Sequence, residues 1–161
     1  MASATKRKQG FTLIEIMVVL VIIGITLAVA IPNLFPSDEQ LNGRESERVL
    51  ALLQVARDEA AFGGRVIAAR VDTDRIEFFE RDVGNPDQWN PSSSPQLKPR
   101  AFPDAVHAQL TVAGNAIAAK DAQITFLAVG MSLPFELKLQ SASVATTIVG
   151  DAIGNLRFKA K

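Results

Sequence analysis

An α+β fold with a long N-terminal helix is predicted from three observations. An unbroken apolar run lies near the start, an amphipathic helical pattern follows it, and short alternating segments punctuated by turn residues fill the remainder. The 161 residues, 48% of them hydrophobic, suffice for one domain of ordinary size plus an N-terminal appendage. No cysteine is present, which excludes disulfides, thiolate metal sites and cysteine nucleophiles and leaves stability to packing. Formal charge is zero; with Lys6, Arg7 and Lys8 set aside, 14 basic residues face 17 acidic ones, a net of −3. That balance gives no general pull toward nucleic acid or anionic membranes.

Nothing charged occurs from Ile16 to Ile31. As a helix, the 21 residues 11–31 would extend about 31 Å at ~1.5 Å per residue, close to the ~30 Å hydrocarbon core of a bilayer. The basic lead at residues 6–8 would hold the N-terminus on the cytoplasmic side and place the chain after Pro32 outside the inner membrane. A secretory signal is the rival reading, since Ala28-Val29-Ala30 forms an A-x-A cleavage pattern; the function would then lie in an exported soluble domain. Glu15 argues for the retained helix. An ionised carboxylate costs about 2.5–3.5 kcal/mol at the centre of a span and less near its edge, and a disposable signal has no use for it. The plainer alternative is a Glu15 that snorkels to the interface.

The stretch Lys8-Gln9-Gly10-Phe11-Thr12-Leu13-Ile14-Glu15 resembles the processing site of type IV pilins and type II secretion pseudopilins. The resemblance rests on a Gly-Phe junction, a glutamate fifth from that junction, and the apolar run. It implies cleavage between Gly10 and Phe11 by a prepilin peptidase, removal of a 1–10 leader, N-methylation of Phe11, and retention of 11–32 as a transmembrane and assembly helix. In such assemblies the carboxylate corresponding to Glu15 meets the N-terminal amine of a neighbouring subunit. An unpaired charge in apolar surroundings is penalised until a subunit docks at the right axial step, which makes Glu15 a register device. Phe11 is also only four residues, about 6 Å, away along the same helix, so intrachain pairing is a second route.

After the anchor, Pro32 and Pro36 predict a bend or interruption, and Ser37-Asp38-Glu39-Gln40 supplies a cap with two acids in the first turn. Val49, Leu52, Leu53, Ala56 and Ala60 recur at spacings of three and four, giving an amphipathic helix within 33–64 that ends at Gly63-Gly64. Residues 65–161 read as β-rich. A hairpin over 66–71 and 75–80 turns at Asp72-Thr73-Asp74, and later strands are expected at 108–112, 124–128, 135–139, 146–149 and 156–161, with two sheets among them. Residues 82–104, proline-rich with the only tryptophan at Trp89, read as a long surface loop that Trp89 partly pins.

The residues offer little chemistry. His107 is the only histidine and no G-x-S-x-G elbow accompanies it, so its surroundings read as a strand entry. Asp72 and Asp74 share a turn that their own side chains stabilise, and the twelve-residue calcium loop pattern is missing. Glu77, Glu80, Asp104 and Asp121 are scattered carboxylates that nothing selects as a glycosidase pair, so they read as solvated surface. Arg157, Lys159 and Lys161 on one strand face could meet DNA phosphates, but cations guarding an edge strand are the plainer reading.

A second resemblance involves Ile124-Thr125-Phe126, Gly130 and Pro134-Phe135-Glu136-Leu137-Lys138-Leu139, which are similar to the central strands of H-type minor pseudopilins and related minor pilins; residues 63–89 look like that group too. The proline that the group places shortly after the phenylalanine is missing. The resemblance implies a type IV pilin-like fold and a non-enzymatic, cofactor-free, metal-free structural subunit near the tip of a type II secretion pseudopilus. Its implied partners are other pseudopilins, prepilin peptidase, the inner membrane and a secreted substrate. A minor pilin of a type IV pilus, one linked to DNA uptake among them, is the alternative within the same class.

Overall fold

The computed structural model describes residues 11–34, 37–116 and 123–160, with side chains at all of these except 30–34 and 116. The chain divides into two units, Met1–Pro36 and Ser37–Lys161. The first contains α1 (Leu13–Leu34, 22 residues), which runs only two residues past Pro32. Among the described residues no helix is long and apolar enough to cross a membrane. The described side chains of α1 stop at Val29, short of the 11–31 stretch on which the sequence expectation rests.

The second unit opens with α2 (Asp38–Gly63). Ser37 is its N-cap, with extended backbone and an Oγ that accepts from Gln40 N–H at 3.3 Å, and Asp38 and Glu39 add favourable charge to the first turn. The helix stops at Gly64, whose left-handed conformation (φ +61°) lets its N–H close onto Ala60 O. Val49, Leu53, Ala56 and Ala60 form the buried stripe that the spacing predicts.

Among the described residues ten strands follow, all paired antiparallel, in two five-stranded sheets. The first sheet has the order β3 (Trp89–Pro91), β2 (Arg75–Arg81), β1 (Ile67–Val71), β7 (Gln123–Phe126), with β4 (Arg100–Ala101) also on β2. The second has the order β10 (Leu156–Phe158), β9 (Ala145–Gly150), β8 (Phe135–Gln140), β5 (His107–Val112), β6 (Asn115–Ala116). The late strands therefore do not form two sheets by themselves. β7 leaves them and pairs Ile67 with Phe126 and Ala69 with Ile124, completing the sheet begun by the first hairpin.

The core lies between α2 and the inner faces of both sheets, with Ile67, Ile76, Phe78, Ile124, Phe126, Leu137, Leu139 and Ile148 fully or almost fully buried. Each such side chain contributes about 1.5–3 kcal/mol of burial. Leu97 and Phe102 are buried in the same core, so 82–104 is not simply a surface loop. Two pieces of it are strands on β2, and Trp89 stands opposite Arg81, whose guanidinium stacks on its ring at 4.9 Å. One buried polar node joins helix to sheet: Asn42 Nδ2 donates to Leu139 O at 3.0 Å, and its Oδ1 accepts from Thr146 Oγ1 at 2.7 Å. Both ends of this buried amide are satisfied, as a polar group at that depth requires.

Candidate functional site

At the start of α1, Thr12 acts as the cap: its carbonyl accepts from Glu15 N–H at 3.1 Å and Ile16 N–H at 3.4 Å, and its Oγ1 from Glu15 N–H at 3.3 Å. Phe11 lies just before the helix, exposed, and Gly10 falls outside the described residues. Glu15 sits in the first turn, where the helix dipole favours a carboxylate. Through that carboxylate it makes no hydrogen bond or ion pair among the described residues.

Around it, the large apolar side chains from Leu13 to Val29 are all exposed. A helix apolar on every side is one that something else must bury. The one hydroxyl in mid-helix asks nothing of a partner, because Thr26 Oγ1 turns back onto Ile22 O and Ile23 O, each at 2.9 Å. Glu15 is thus the single ionisable group on an otherwise uniform apolar surface, the arrangement of a helix that packs laterally against others with one position marked.

The other candidate residues are dispersed. His107 is exposed at the beginning of β5, opposite Gln140. Asp72 Oδ1 accepts from Thr73 N–H at 2.7 Å and Asp74 Oδ1 from Arg75 Nε at 3.3 Å, so both serve their turn; Asp74 holds the exposed Arg75 guanidinium above its ordinary pKa. Glu77 lies within 4.0 Å of Arg75, Asp104 is exposed, and Asp121 lies outside the described residues. Among the described residues no group of three or more His, Asp or Glu side chains is placed to hold a metal ion. In the C-terminal tail, Lys159 Nζ is paired with Glu136 at 2.8 and 3.0 Å, Arg157 is exposed, and Lys161 lies outside the described residues.

Glu80 has a role that sequence reasoning missed. Its Oε1 accepts from Ser92 Oγ at 2.8 Å, Ser93 N–H at 3.0 Å and Ser93 Oγ at 3.2 Å, and its Oε2 from Arg65 Nη1 at 2.8 Å. Ser94 Oγ in turn donates to Glu59 at 2.6 Å. The serine run was the available signal, since three adjacent hydroxyls are donors in search of a carboxylate. Burial is the largest single influence on Glu80 and pushes its pKa up, but the hydrogen bonds and the Arg65 charge together outweigh it and hold the carboxyl below the ordinary glutamate value. A group depressed in the folded state leaves the unfolded chain binding more protons, so its contribution to stability is complete above roughly pH 5 and is lost as pH falls below about 4. Glu80→Gln is therefore expected to lose less stability than the parent between about pH 5 and pH 3 in urea titrations; equal acid sensitivity would contradict this role.

A long N-terminal helix carrying one carboxylate, an amphipathic helix packed on antiparallel sheets and a Gly-Phe junction before the first helix define a subunit of the type IV pilin class. A family profile described as the prokaryotic N-terminal methylation motif matches residues 5–31, and one described as type II transport protein GspH matches residues 45–154. The chain belongs to the GspH family. It is 33% identical over 87 residues to the type II secretion system protein H of Pseudomonas aeruginosa, an alignment covering 53% of this chain and 50% of that protein. It is 23% identical to the protein of the same name from Pectobacterium carotovorum over 90% of this chain and 88% of the other. The chain thus spans about half the length of the first of these relatives. In fold, it is similar to the minor pseudopilin EpsH from the type II secretion system of Vibrio cholerae, with a TM-score of 0.66 and 15% identity over 77% of this chain and 99% of that one.

Proposed function

We propose that this chain is a structural minor pseudopilin of a type II secretion pseudopilus, placed near its tip, with no catalytic activity, cofactor or metal of its own. The observation that carries the reading is the all-round apolar α1 with Glu15 as its only ionisable group. Prepilin peptidase cuts between Gly10 and Phe11, Phe11 becomes N-methylated, and the segment 11–32 waits in the inner membrane with the Ser37–Lys161 unit in the periplasm. Extraction into the bundle of neighbouring helices covers its apolar surface. Glu15 then meets a positive N-terminal amine, so subunits seat at one axial step instead of sliding along featureless apolar helices. The pairing of Lys159 with Glu136 favours an edge-guarding role for the tail over DNA contact.

Mass spectrometry of the mature chain is the test. A methylated Phe11 as the first residue is the expected result, and an unmodified start at Ile31 would show an ordinary secretory signal instead. Co-purifying subunits distinguish a secretion pseudopilus from a type IV pilus within the same class.

A further inference from the structure

The first hydrogen bonds of α1 lie just beyond the proposed Gly10–Phe11 scissile bond. A helix continuing back through Phe11 would send Glu15 N–H to Phe11 O, four residues earlier. Instead Thr12 takes that donor, its O and Oγ1 accepting from Glu15 N–H at 3.1 and 3.3 Å, and Ile16 N–H reaches Thr12 O at 3.4 Å. Phe11 and Thr12 both lie outside the helix, and both are exposed.

The stop depends on one hydroxyl. Thr12-Leu13-Ile14-Glu15 has the spacing of a capping box, in which the acid at the third helical position reaches back to the N–H of the cap. Only the threonine half is made here: the Glu15 carboxylate has no such bond among the described residues. Upstream of Thr12 the nearest residue able to replace it is Gly10, because glycine caps about as well as threonine whereas large apolar residues do not. A helix started at Gly10 would wind Phe11 into its first turn and engage Gly10 O with Ile14 N–H. That oxygen belongs to the carbonyl which hydrolysis attacks. Bonded into a helix, it is withheld from a peptidase that has to polarise it and reach the backbone on either side.

We propose that Thr12 is a positioning residue for leader removal. By stopping α1 short of Phe11, its hydroxyl keeps the Gly10–Phe11 bond in non-helical backbone, where water adds across it to leave a carboxylate on Gly10 and a free amine on Phe11. The inference rests on the processing-site reading of Gly10 and Phe11. Its size follows from the fraction of chains with the junction outside the helix, because only that fraction is open to cleavage.

Pulse-labelled full-length chains in the native host, followed by mass for loss of residues 1–10, provide the test. Thr12→Val keeps the shape of the side chain and removes its acceptor, and is expected to slow cleavage about threefold or more, since loss of an ordinary N-cap shifts the choice of helix start about fivefold. Thr12→Ser and Thr12→Asn, which cap as well or better, should be cleaved at the parental rate, as should Thr26→Val, whose lost hydroxyl is bonded within the helix. In uncleaved chains held in detergent micelles, the carbonyl ¹³C shift of Phe11 should be helical in Thr12→Val and non-helical in the parent, Thr12→Ser and Thr12→Asn. Parental cleavage of Thr12→Val overturns the proposal. So does slow cleavage of Thr12→Asn, which would mean that the peptidase reads threonine itself, or slow cleavage of Thr12→Val with Phe11 still non-helical. A parent chain that keeps its leader, or is cut elsewhere, sinks the processing-site reading, whereas cleavage after Gly10 that is indifferent to Thr12→Val sinks only this inference.

Discussion

Glu15→Ala is expected to leave cleavage at Gly10 and methylation of Phe11 unchanged while reducing the chain recovered with purified pseudopili by about 30-fold or more. The magnitude follows from what the substitution strands. On the proposed register role the carboxylate is desolvated against an amine in the bundle, and truncating one partner of such a pair costs roughly 2–5 kcal/mol, much of it the penalty on the charge left behind. Two kcal/mol is already about 30-fold in an equilibrium. Among the described side chains of α1 nothing else compensates, because the others up to Val29 are apolar except Thr26, which is bonded to its own helix. Glu15→Gln, which keeps shape and loses charge, should behave like the alanine variant. If either variant assembles at parental levels, Glu15 is an interfacial residue without a register role.

Much of this architecture was legible because local rules agreed with one another. Ser37, Gln40 and the Gly63-Gly64 pair bracket α2 from both ends, and the Asp72-Thr73-Asp74 turn fixes the register of the first hairpin, with Val71 opposite Ile76. What escaped was set by partners distant in sequence. A four-residue strand such as Gln123–Phe126 carries no mark of which sheet it will join; its pairing with β1 is decided by how Ile124 and Phe126 fill the space beside Ala69 and Ile67. Prolines and serines disguised Leu97 and Phe102 as loop residues, although an isolated Leu and Phe in a polar stretch can anchor that stretch to a core. Nothing in the sequence sets Asn42 apart from other polar helix positions, and only its bonds to Leu139 and Thr146 reveal why an amide is needed there. At the candidate site, the Gly-Phe junction and Glu15 form a local motif, lying in the stretch 5–31 that the N-terminal methylation profile matches. The approach of Gly154 to the Gly130 carbonyl at the end of α2 was not readable, since it is created only by folding.

Gly154→Ala is expected to destabilise the folded chain by about 3 kcal/mol or more. Two costs combine. Gly154 has φ +86°, a conformation in which an L side chain is penalised by about 1–2 kcal/mol. A Cβ there would also be driven into the carbonyl oxygen of Gly130, a backbone atom held by the Leu127–Met131 turn and unable to swing aside as a side chain would. Relief requires parting the two loops and stretching the bond from Arg57 to Gly154 O, and overpacking of this kind costs roughly 1–3 kcal/mol. Gly114→Ala provides the calibration. Its φ of +80° imposes a similar conformational penalty, but nothing lies within 4 Å of its added methyl, so only the first cost applies and about 1–2 kcal/mol is expected. Urea denaturation of the detergent-solubilised chains measures both. The difference between them isolates the steric term, and near-equal values would show that the Gly130–Gly154 contact yields easily.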